Sequence, residues 1–173
     1  KGILRRFGGV FLADVVGLGK TFIAMALLRH LQVNYRQRAV IVAPPQVLPA
    51  WEDLAEEFHV DLECVSFGKL DQLERYADRE VLVIDESHNF RNPNTQRMER
   101  LSAWLRPGGG PATRKVILVS ATPQNNRPRD VYEQLNFFPH TFNRFPIEDE
   151  SLLDYFRAVE RGQQSLTRLL QHV

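Results

Sequence analysis

The sequence has only one cysteine, Cys64, among its 173 residues. An internal disulfide is therefore excluded, and the scarcity of cysteine is typical of a protein from the reducing cytoplasm. The five histidines are scattered and have no cysteine partners, so no zinc-binding pattern is present. The sequence also has no apolar run near the length of a membrane span and no signal peptide. We therefore expect a cytoplasmic protein with no membrane partner.

The sequence also has no large excess of positive or negative residues. The 22 Lys and Arg residues nearly balance the 21 Asp and Glu residues, and the formal net charge is +1. No global electric field therefore draws the chain onto nucleic acid, and any contact with DNA must come from a local patch. The hydrophobic content of 43% and the length of 173 residues fit one ordinary globular domain rather than two.

Short apolar segments alternate along the chain with segments of helical periodicity. The predicted strands are residues 10–14, 39–43, 62–67, 81–84 and 116–119. The predicted helices are residues 21–31, 47–58, 70–77, 95–105, 131–138 and 150–170. Such alternation predicts βαβ units, and hence a three-layer α/β fold in which a mainly parallel sheet lies between two layers of helices.

Residues that suit a ligand site stand at the carboxyl ends of four predicted strands. These residues are Asp14, Pro44, Asp85 and Ser120. The carboxyl ends of parallel strands meet at one edge of a sheet, and open α/β sheets bind their ligands at that edge. A purely structural protein has no reason for this arrangement. The sequence therefore predicts a ligand site at the carboxyl edge of the sheet.

Residues 14–21 read DVVGLGKT and lie between a predicted strand and a predicted helix, which is the arrangement of a phosphate-binding P-loop. The predicted nucleotide-binding residues are Gly17, Leu18, Gly19, Lys20 and Thr21. Lys20 is expected to reach the β- and γ-phosphates of ATP, and the Thr21 hydroxyl to bind Mg²⁺. The strict pattern begins with glycine where this chain has Asp14. The alternative, an ordinary glycine-rich turn with a lone lysine, is disfavoured by the flanking strand and helix.

Residues 81–88 read VLVIDESH, an apolar strand that ends in two acids. Phosphoryl transfer needs one carboxylate for Mg²⁺ and a second to orient the attacking water, and Asp85 and Glu86 suit these two roles. Together with Lys20 they are the predicted catalytic residues. His88 has no metal-ligand companions, and we expect it to hydrogen-bond a neighbouring motif. The alternative for the two acids is an ordinary charged turn.

Ser120 and Thr122 belong to the sequence SAT, which closes another apolar strand. Taken alone, this triplet is more typical of a hydroxyl cap at the start of a helix. Because its strand is expected to lie beside the Asp85 strand, the hydroxyl pair is also a candidate relay that senses the γ-phosphate. His88, Ser120 and Thr122 are therefore the predicted coupling residues.

Four segments in this order, DVVGLGKT, APPQVLPAW, DESHNFRN and SATPQNN, resemble the Swi/Snf-type branch of the superfamily 2 helicase-related ATPases. The resemblance covers about residues 7–138. It implies a RecA-like first lobe over residues 1–140, the use of ATP and Mg²⁺, and translocation on double-stranded DNA. Residues 141–173 are then a helical tail that leads toward a second RecA-like lobe, which would carry the arginine fingers.

The chain departs from the family pattern at one place in the P-loop, and two family features are expected outside it. The family's P-loop usually has Glu-Met where this chain has Val15 and Val16, a variant similar to that of bacterial members. A bacterial member would be cytoplasmic and associated with the nucleoid. The glutamine motif that reads adenine is expected before Lys1, and the second lobe after Val173.

The resemblance also implies which residues face DNA. They are Pro44, Pro45 and Gln46 in one turn, and Ser66 and Lys69 in another. Backbone amides and short polar side chains there suit phosphate contacts, which position a protein on DNA without reading its sequence. The alternatives are structural, because Pro-Pro ends a strand in any case and Trp51 is more typical of a core than of a base-stacking platform.

Three other functions remain open from the sequence. A strand-separating helicase or a restriction-type motor subunit shares most of these motifs, and an unwinding assay distinguishes it from a translocase. A small-molecule phosphotransferase would need an acceptor site, against which the Asp-Glu-Ser-His set argues. A nucleotide-gated module would bind ATP together with DNA or a protein without turnover.

Overall fold

The computed structural model describes residue 4 and residues 8–14, 19–90, 95–107, 114–121, 128–138 and 151–165. The strands in these ranges are β1 (Gly9–Asp14), β2 (Ala39–Ala43), β3 (Leu62–Ser66), β4 (Val81–Asp85) and β5 (Lys115–Ala121). The helices are α1 (Lys20–Tyr35), α2 (Leu48–Glu57), α3 (Gln96–Leu105), α4 (Pro128–Leu135) and α5 (Leu152–Glu160). Short 3-10 segments occupy Leu70–Tyr76 and Ser87–Phe90.

The five strands form one sheet in the order β1-β5-β4-β2-β3, and every neighbouring pair is parallel. The predicted parallel sheet is therefore confirmed. β5 comes last along the sequence among the described strands, yet it lies between β1 and β4. The carboxyl end of β5, which carries Ser120, is consequently flanked by the end of the P-loop strand on one side and by Asp85 on the other.

Helices cover both faces of the sheet, as the predicted three-layer fold requires. Strand β2 shows this most clearly, because Val40, Ile41 and Val42 are all 0% exposed. Its even-numbered side chains belong to one apolar cluster, which includes residues of α3, α4 and α5. Its odd-numbered side chains belong to a second cluster, which includes residues of α1 and α2. None of the described helices has both the length and the apolarity that crossing a membrane requires.

Four predicted helices differ from the observed elements, and one of them, predicted at residues 131–138, is helix α4 at Pro128–Leu135. Residues 70–76 form a 3-10 segment, in which three residues per turn bring the buried Leu70 and Leu73 onto one side. Helix α1 continues to Tyr35, beyond the predicted end at residue 31, and its last turns carry exposed apolar side chains that give no amphipathic signal. Helix α5 ends at Glu160, where Gly162 with φ 72° supplies a left-handed termination.

Helix α5 packs onto the core of the domain. Tyr155 and Phe156 are 0% and 3% exposed, and the Phe156 ring lies 5.6 Å from the ring of Tyr132 on α4. The α5 segment falls within residues 141–173, which the sequence predicts to be a helical tail. The predicted boundary at residue 140 lies outside the described residues, and so does the predicted helical segment after residue 165.

Cys64 lies on β3, an edge strand of the sheet, and its thiol is free and half-buried. Burial, assisted by the carboxylates of Glu52 and Glu63, raises the pKa of the thiol from 9.0 to about 12. Only the thiolate attacks a disulfide reagent. We therefore expect an aromatic disulfide reagent to react with the folded chain at pH 8 at least about tenfold more slowly than with the unfolded chain.

The released chromophore, followed in buffer and in urea, measures this difference, and equal rates would contradict it.

The same pKa predicts a pH dependence of stability. Because the folded pKa lies above the unfolded one, the contribution of the neutral thiol is fully present below about pH 9 and is lost as the pH rises toward 12.

Candidate nucleotide-binding site

The first part of the site is the start of α1. Gly19 precedes this helix with φ 81° and ψ 25°, a left-handed conformation that glycine adopts without strain. A Cβ built on Gly19 would come no closer than 4.0 Å to the Phe22 ring, so the backbone conformation, not space, requires glycine here. Lys20 and Thr21 are the first two residues of the helix. The amino end of a helix offers unbonded N–H groups and a positive dipole end, which suit a phosphate.

The second part of the site is Asp85 at the end of β4, whose carboxylate is held by two N–H donors. The indole Nε1 of Trp51 donates to Oδ2 at 2.8 Å, and the backbone N–H of Glu86 donates to Oδ1 at 2.8 Å. Each carboxylate oxygen has a further lone pair, and the side chain is only partly buried. Asp85 is thus fixed in orientation and still able to bind a cation.

A sharp turn follows Asp85. Glu86 has φ 51°, a left-handed conformation that is uncommon for residues other than glycine. His88 Nδ1 lies 3.1 Å from Glu86 Oε2 and 3.4 Å from Ser120 Oγ. The imidazole therefore contacts both the second acid and the hydroxyl at the end of β5, which is the kind of neighbour that the sequence predicted for it. Its role in sensing the γ-phosphate stays a prediction.

Ser87 anchors the same turn from the opposite side. Its hydroxyl donates to Oε1 of Gln134 at 2.7 Å, and Nε2 of Gln134 donates to the backbone carbonyl of Asp130 at 3.1 Å. Ser87 and Gln134 are both 0% exposed, and water does not compete for their hydrogen bond. The turn that carries Glu86 and His88 is therefore tied to α4.

The spacing of the strands gives the width of the site. The register places Asp14 beside Ala121 and Asp85 beside Val119, so β1 and β5 end at the same level and β4 ends two residues earlier. Two interstrand spacings separate β1 from β4, which amounts to roughly 10 Å. Mg²⁺ in nucleotide sites is held by one or two carboxylates together with phosphate oxygens. The Thr21 hydroxyl, in the helix that follows β1, and the Asp85 carboxylate, at the end of β4, are oxygen ligands of the type that Mg²⁺ with a triphosphate requires.

Two turns follow the neighbouring strands β2 and β3 at the same edge. We call them the proline turn, which is Pro44, Pro45 and Gln46, and the serine turn, which is residues 66–69. The backbone N–H of Phe67 in the serine turn donates at 3.1 Å to the carbonyl of Ala43, the β2 residue directly before the proline turn. Pro45, Gln46 and Lys69 are exposed, Ser66 is half-buried, and Pro44 is buried. The predicted DNA residues thus lie close together, with Pro44 shaping the turn from beneath.

Known proteins similar to this chain were found by sequence. No family model matches the chain. The SWI/SNF-related matrix-associated actin-dependent regulator of chromatin subfamily A-like protein 1 of Xenopus laevis is 29% identical over 174 residues, which covers 83% of this chain and 17% of that protein. The uncharacterized ATP-dependent helicase YqhH of Bacillus subtilis is 25% identical over 146 residues, which covers 72% of this chain and 25% of that protein. The chain therefore spans a quarter or less of the length of these two relatives.

A solved structure is similar as well. The SWI2/SNF2 ATPase core of Sulfolobus solfataricus, in complex with double-stranded DNA, matches 98% of this chain with a TM-score of 0.72 at 20% identity. The chain covers 40% of that core. This likeness shows a common fold, and the sequence relatives confirm the resemblance that the motifs predicted. The homologues of this chain are SWI/SNF-related helicase-type ATPases.

The structure brings most of the motifs predicted from the sequence to one edge of the sheet. Lys20 and Thr21 begin α1, Asp85 and Glu86 follow β4, and Ser120 lies near the end of β5 beside His88. Three predicted site residues lie outside the described residues: Gly17, Leu18 and Thr122. The same is true of Val15 and Val16, where the P-loop departs from the usual SWI/SNF-type sequence.

Sequence reasoning missed the contact between Trp51 and Asp85. Trp51 was expected in the core, and it is indeed 1% exposed, but its hydrogen bond to a predicted Mg²⁺ ligand was not foreseen. A signal was present, because a buried indole N–H needs an acceptor and Trp51 follows the proline turn at the carboxyl edge. The bond between Ser87 and Gln134 gave no such signal, since the two residues are 47 positions apart.

Proposed function

We propose that the chain is the ATP-binding lobe of an ATP-dependent motor that moves on double-stranded DNA. The observation that carries this proposal is the meeting of the start of α1, the Asp85–Glu86 turn and Ser120 at the carboxyl edge of a parallel sheet. Relatives that are ATP-dependent helicases support the use of ATP. A second RecA-like lobe is part of the proposal, because the chain covers only 40% of the Sulfolobus ATPase core.

The side chains divide the work on the nucleotide according to their chemistry. Lys20, at the positive end of α1, neutralises the β- and γ-phosphates, while Thr21 and Asp85 hold Mg²⁺. When bound, Mg²⁺ supplies positive charge against the charge that develops on the phosphoryl oxygens. Glu86 orients the attacking water, and His88 at 3.1 Å holds the Glu86 carboxylate in place. The Ser120 hydroxyl, which lies 3.4 Å from His88 Nδ1, relays to His88 whether the γ-phosphate is present.

Duplex DNA is the proposed track, and the proline and serine turns are the proposed contacts. Both turns lie at the carboxyl edge and expose backbone, Gln46 and Lys69 to solvent. Short polar groups and one lysine suit phosphates better than base edges, so binding should be indifferent to sequence. The double-stranded DNA in the Sulfolobus ATPase core structure supports a duplex as the partner.

We expect the chain to bind a short duplex with an affinity that falls steeply with salt. Each neutralised phosphate adds about 0.9 to the slope of log affinity against log salt. Lys69→Ala should weaken binding to all sequences alike and reduce that slope by about one phosphate. Fluorescence anisotropy of labelled duplexes at several salt concentrations measures both quantities.

Lys115→Ala is the matched control for this experiment. Lys115 begins β5 and therefore lies at the amino edge of the sheet, opposite the two turns. Its removal changes the net charge by the same amount and should leave the slope nearly unchanged. Binding that ignores salt, or that strongly prefers one sequence, would refute the proposed contacts.

A further inference from the structure

The buried indole N–H of Trp51 needs a hydrogen-bond acceptor, but burial alone does not require that acceptor to be Asp85. The side chain is 1% exposed and belongs to the apolar cluster beneath α1 and α2. Its one polar atom, Nε1, donates to Oδ2 of Asp85 at 2.8 Å rather than to a backbone carbonyl. An N–H bond to a charged carboxylate is stronger than one to a neutral carbonyl. The indole therefore orients the Asp85 carboxylate in addition to packing in the apolar core.

The second tryptophan shows what a purely structural indole bond in this chain looks like. Trp104 on α3 is 8% exposed, and its Nε1 donates to the backbone carbonyl of Leu73 at 2.7 Å. That bond lies in the apolar cluster on the other face of the sheet. The two indoles have similar burial and similar hydrogen-bond lengths, but only the acceptor of Trp51 belongs to the nucleotide site, while the Trp104 ring stacks against the Arg114 guanidinium at 4.0 Å.

Two donors fix the Asp85 carboxylate, and they come from different elements. The backbone N–H of Glu86 fixes Oδ1 from within the same turn, whereas Trp51 fixes Oδ2 from α2. Without the indole donor, rotation about the Asp85 side chain is opposed on one oxygen only. Groups that orient a metal-binding carboxylate in this way change metal affinity when they are removed, typically by 10–100-fold.

The backbone connects Trp51 directly to the proline turn. Val47 N–H donates to the carbonyl of Pro44 at 3.1 Å, and Trp51 N–H donates to the carbonyl of Val47 at 3.3 Å. A displacement of the proline turn therefore moves the first turn of α2, and with it the donor on Asp85. This path is eight residues from Pro44 to Trp51 inclusive and is hydrogen-bonded at both steps.

We propose that Trp51 is a positioning residue that orients the Asp85 carboxylate for Mg²⁺ through its indole N–H, and that it links the proline turn to the metal side of the nucleotide site. This inference rests on the proposed function, because it takes Asp85 as a Mg²⁺ ligand. It adds a residue of α2 to a site that otherwise consists of the strand ends and the start of α1.

The test is the Mg²⁺ concentration that gives half-maximal binding of a fluorescent ATP analogue. Trp51→Phe keeps an aromatic ring in the cluster and removes the N–H, and we expect it to raise that concentration about tenfold or more. Affinity for the same analogue without Mg²⁺ should stay within about twofold. Trp104→Phe loses an indole bond of the same kind and should leave the Mg²⁺ dependence unchanged, even where it lowers the melting temperature.

A second measurement uses the unaltered chain and does not depend on the folding of a variant. With ¹⁵N-labelled indoles, the two tryptophans give two N–H signals, which the Phe variants assign. Adding Mg²⁺ with the ATP analogue should shift the Trp51 signal and leave that of Trp104 in place. Adding duplex DNA alone should also shift the Trp51 signal.

The outcomes separate this inference from the proposed function. A wild-type chain that binds no Mg²⁺-nucleotide would refute both. A wild-type chain that binds it, with Trp51→Phe showing the same Mg²⁺ dependence or with a stationary Trp51 signal, would refute the inference alone. A Trp51 signal that responds to nucleotide but ignores bound duplex would overturn the link to the proline turn.

Discussion

Replacing Lys20 by alanine should abolish tight binding of Mg²⁺-ATP while leaving the fold intact. Lys20 is the first residue of α1, directly after the left-handed Gly19. Its ammonium is the charged group that this end of the helix offers to the terminal phosphates. Loss of a charge-assisted phosphate contact should cost about 1.5–3 kcal/mol, which is roughly a 10- to 150-fold loss of affinity. Alanine is a good helix former, so α1 should survive the change.

Calorimetric titration of both forms with Mg²⁺-ATP measures the effect, and circular dichroism checks the fold. Lys69→Ala is the matched control, since Lys69 is an exposed lysine of the serine turn on a different pair of strands. The two variants should show opposite defects, with Lys20→Ala losing nucleotide and keeping duplex DNA, and Lys69→Ala the reverse. Equal ATP affinities of wild type and Lys20→Ala would refute the assignment of this loop.

The strands could be predicted from the sequence because a strand that is buried on both faces must be a continuous run of apolar residues. The continuous apolar runs of β2 and β4 are buried on both faces, and the predicted bounds of β2 agree with the observed ones. Helix ends were less predictable where no buried side chain marks them. The last turns of α1 expose Val33 and Tyr35, at 60% and 53%, so their helical conformation leaves no trace in the hydrophobic pattern.

The location of the candidate site could be predicted because the order and direction of the strands determine it. Because the strands are parallel, the backbone alone places Asp85 and Ser120 at the same edge of the sheet. β5, which carries Ser120, lies between β1 and β4. The orientation of each functional group depends instead on pairs that are distant in sequence. Trp51 on Asp85 and Gln134 on Ser87 are separated by 34 and 47 positions. No local pattern specifies such contacts, since they follow from the packing of α2 and α4 on opposite faces.

The left-handed backbone of Glu86 was not predictable from residue type either. Glycine and asparagine are the usual residues with positive φ, and a glutamate there is held by its surroundings. Here the surroundings are specific. The backbone N–H of Glu86 bonds to Asp85, its carbonyl accepts from Asn89, and its carboxylate meets His88. The strained residue is the one proposed to orient water, which fits the concentration of backbone strain at functional sites.

The 173-residue chain by itself should bind ATP but hydrolyse it slowly, and duplex DNA should barely change the rate. In the proposed site, Lys20, Thr21 and Asp85 hold the Mg²⁺-nucleotide and Glu86 orients a water, and all four residues belong to this lobe. The proposed second lobe supplies the arginine fingers that the family resemblance implies. An arginine finger contributes on the order of 10³–10⁵ in rate, so this term outweighs every other feature of the kinetics. Release of phosphate, measured with and without duplex DNA, tests the expectation.

Joining the chain to that second lobe in one polypeptide should restore both turnover and its dependence on duplex DNA. In the two-lobe protein, Glu86→Gln should bind ATP as well as wild type does and fail to release phosphate, since an amide orients water less strongly than a carboxylate and accepts no proton. Glu57→Gln is the matched control, because Glu57 is an exposed residue at the end of α2. Rapid, DNA-dependent hydrolysis by the single lobe would refute the two-lobe motor, because the closure of two lobes over the nucleotide is what couples DNA to the rate.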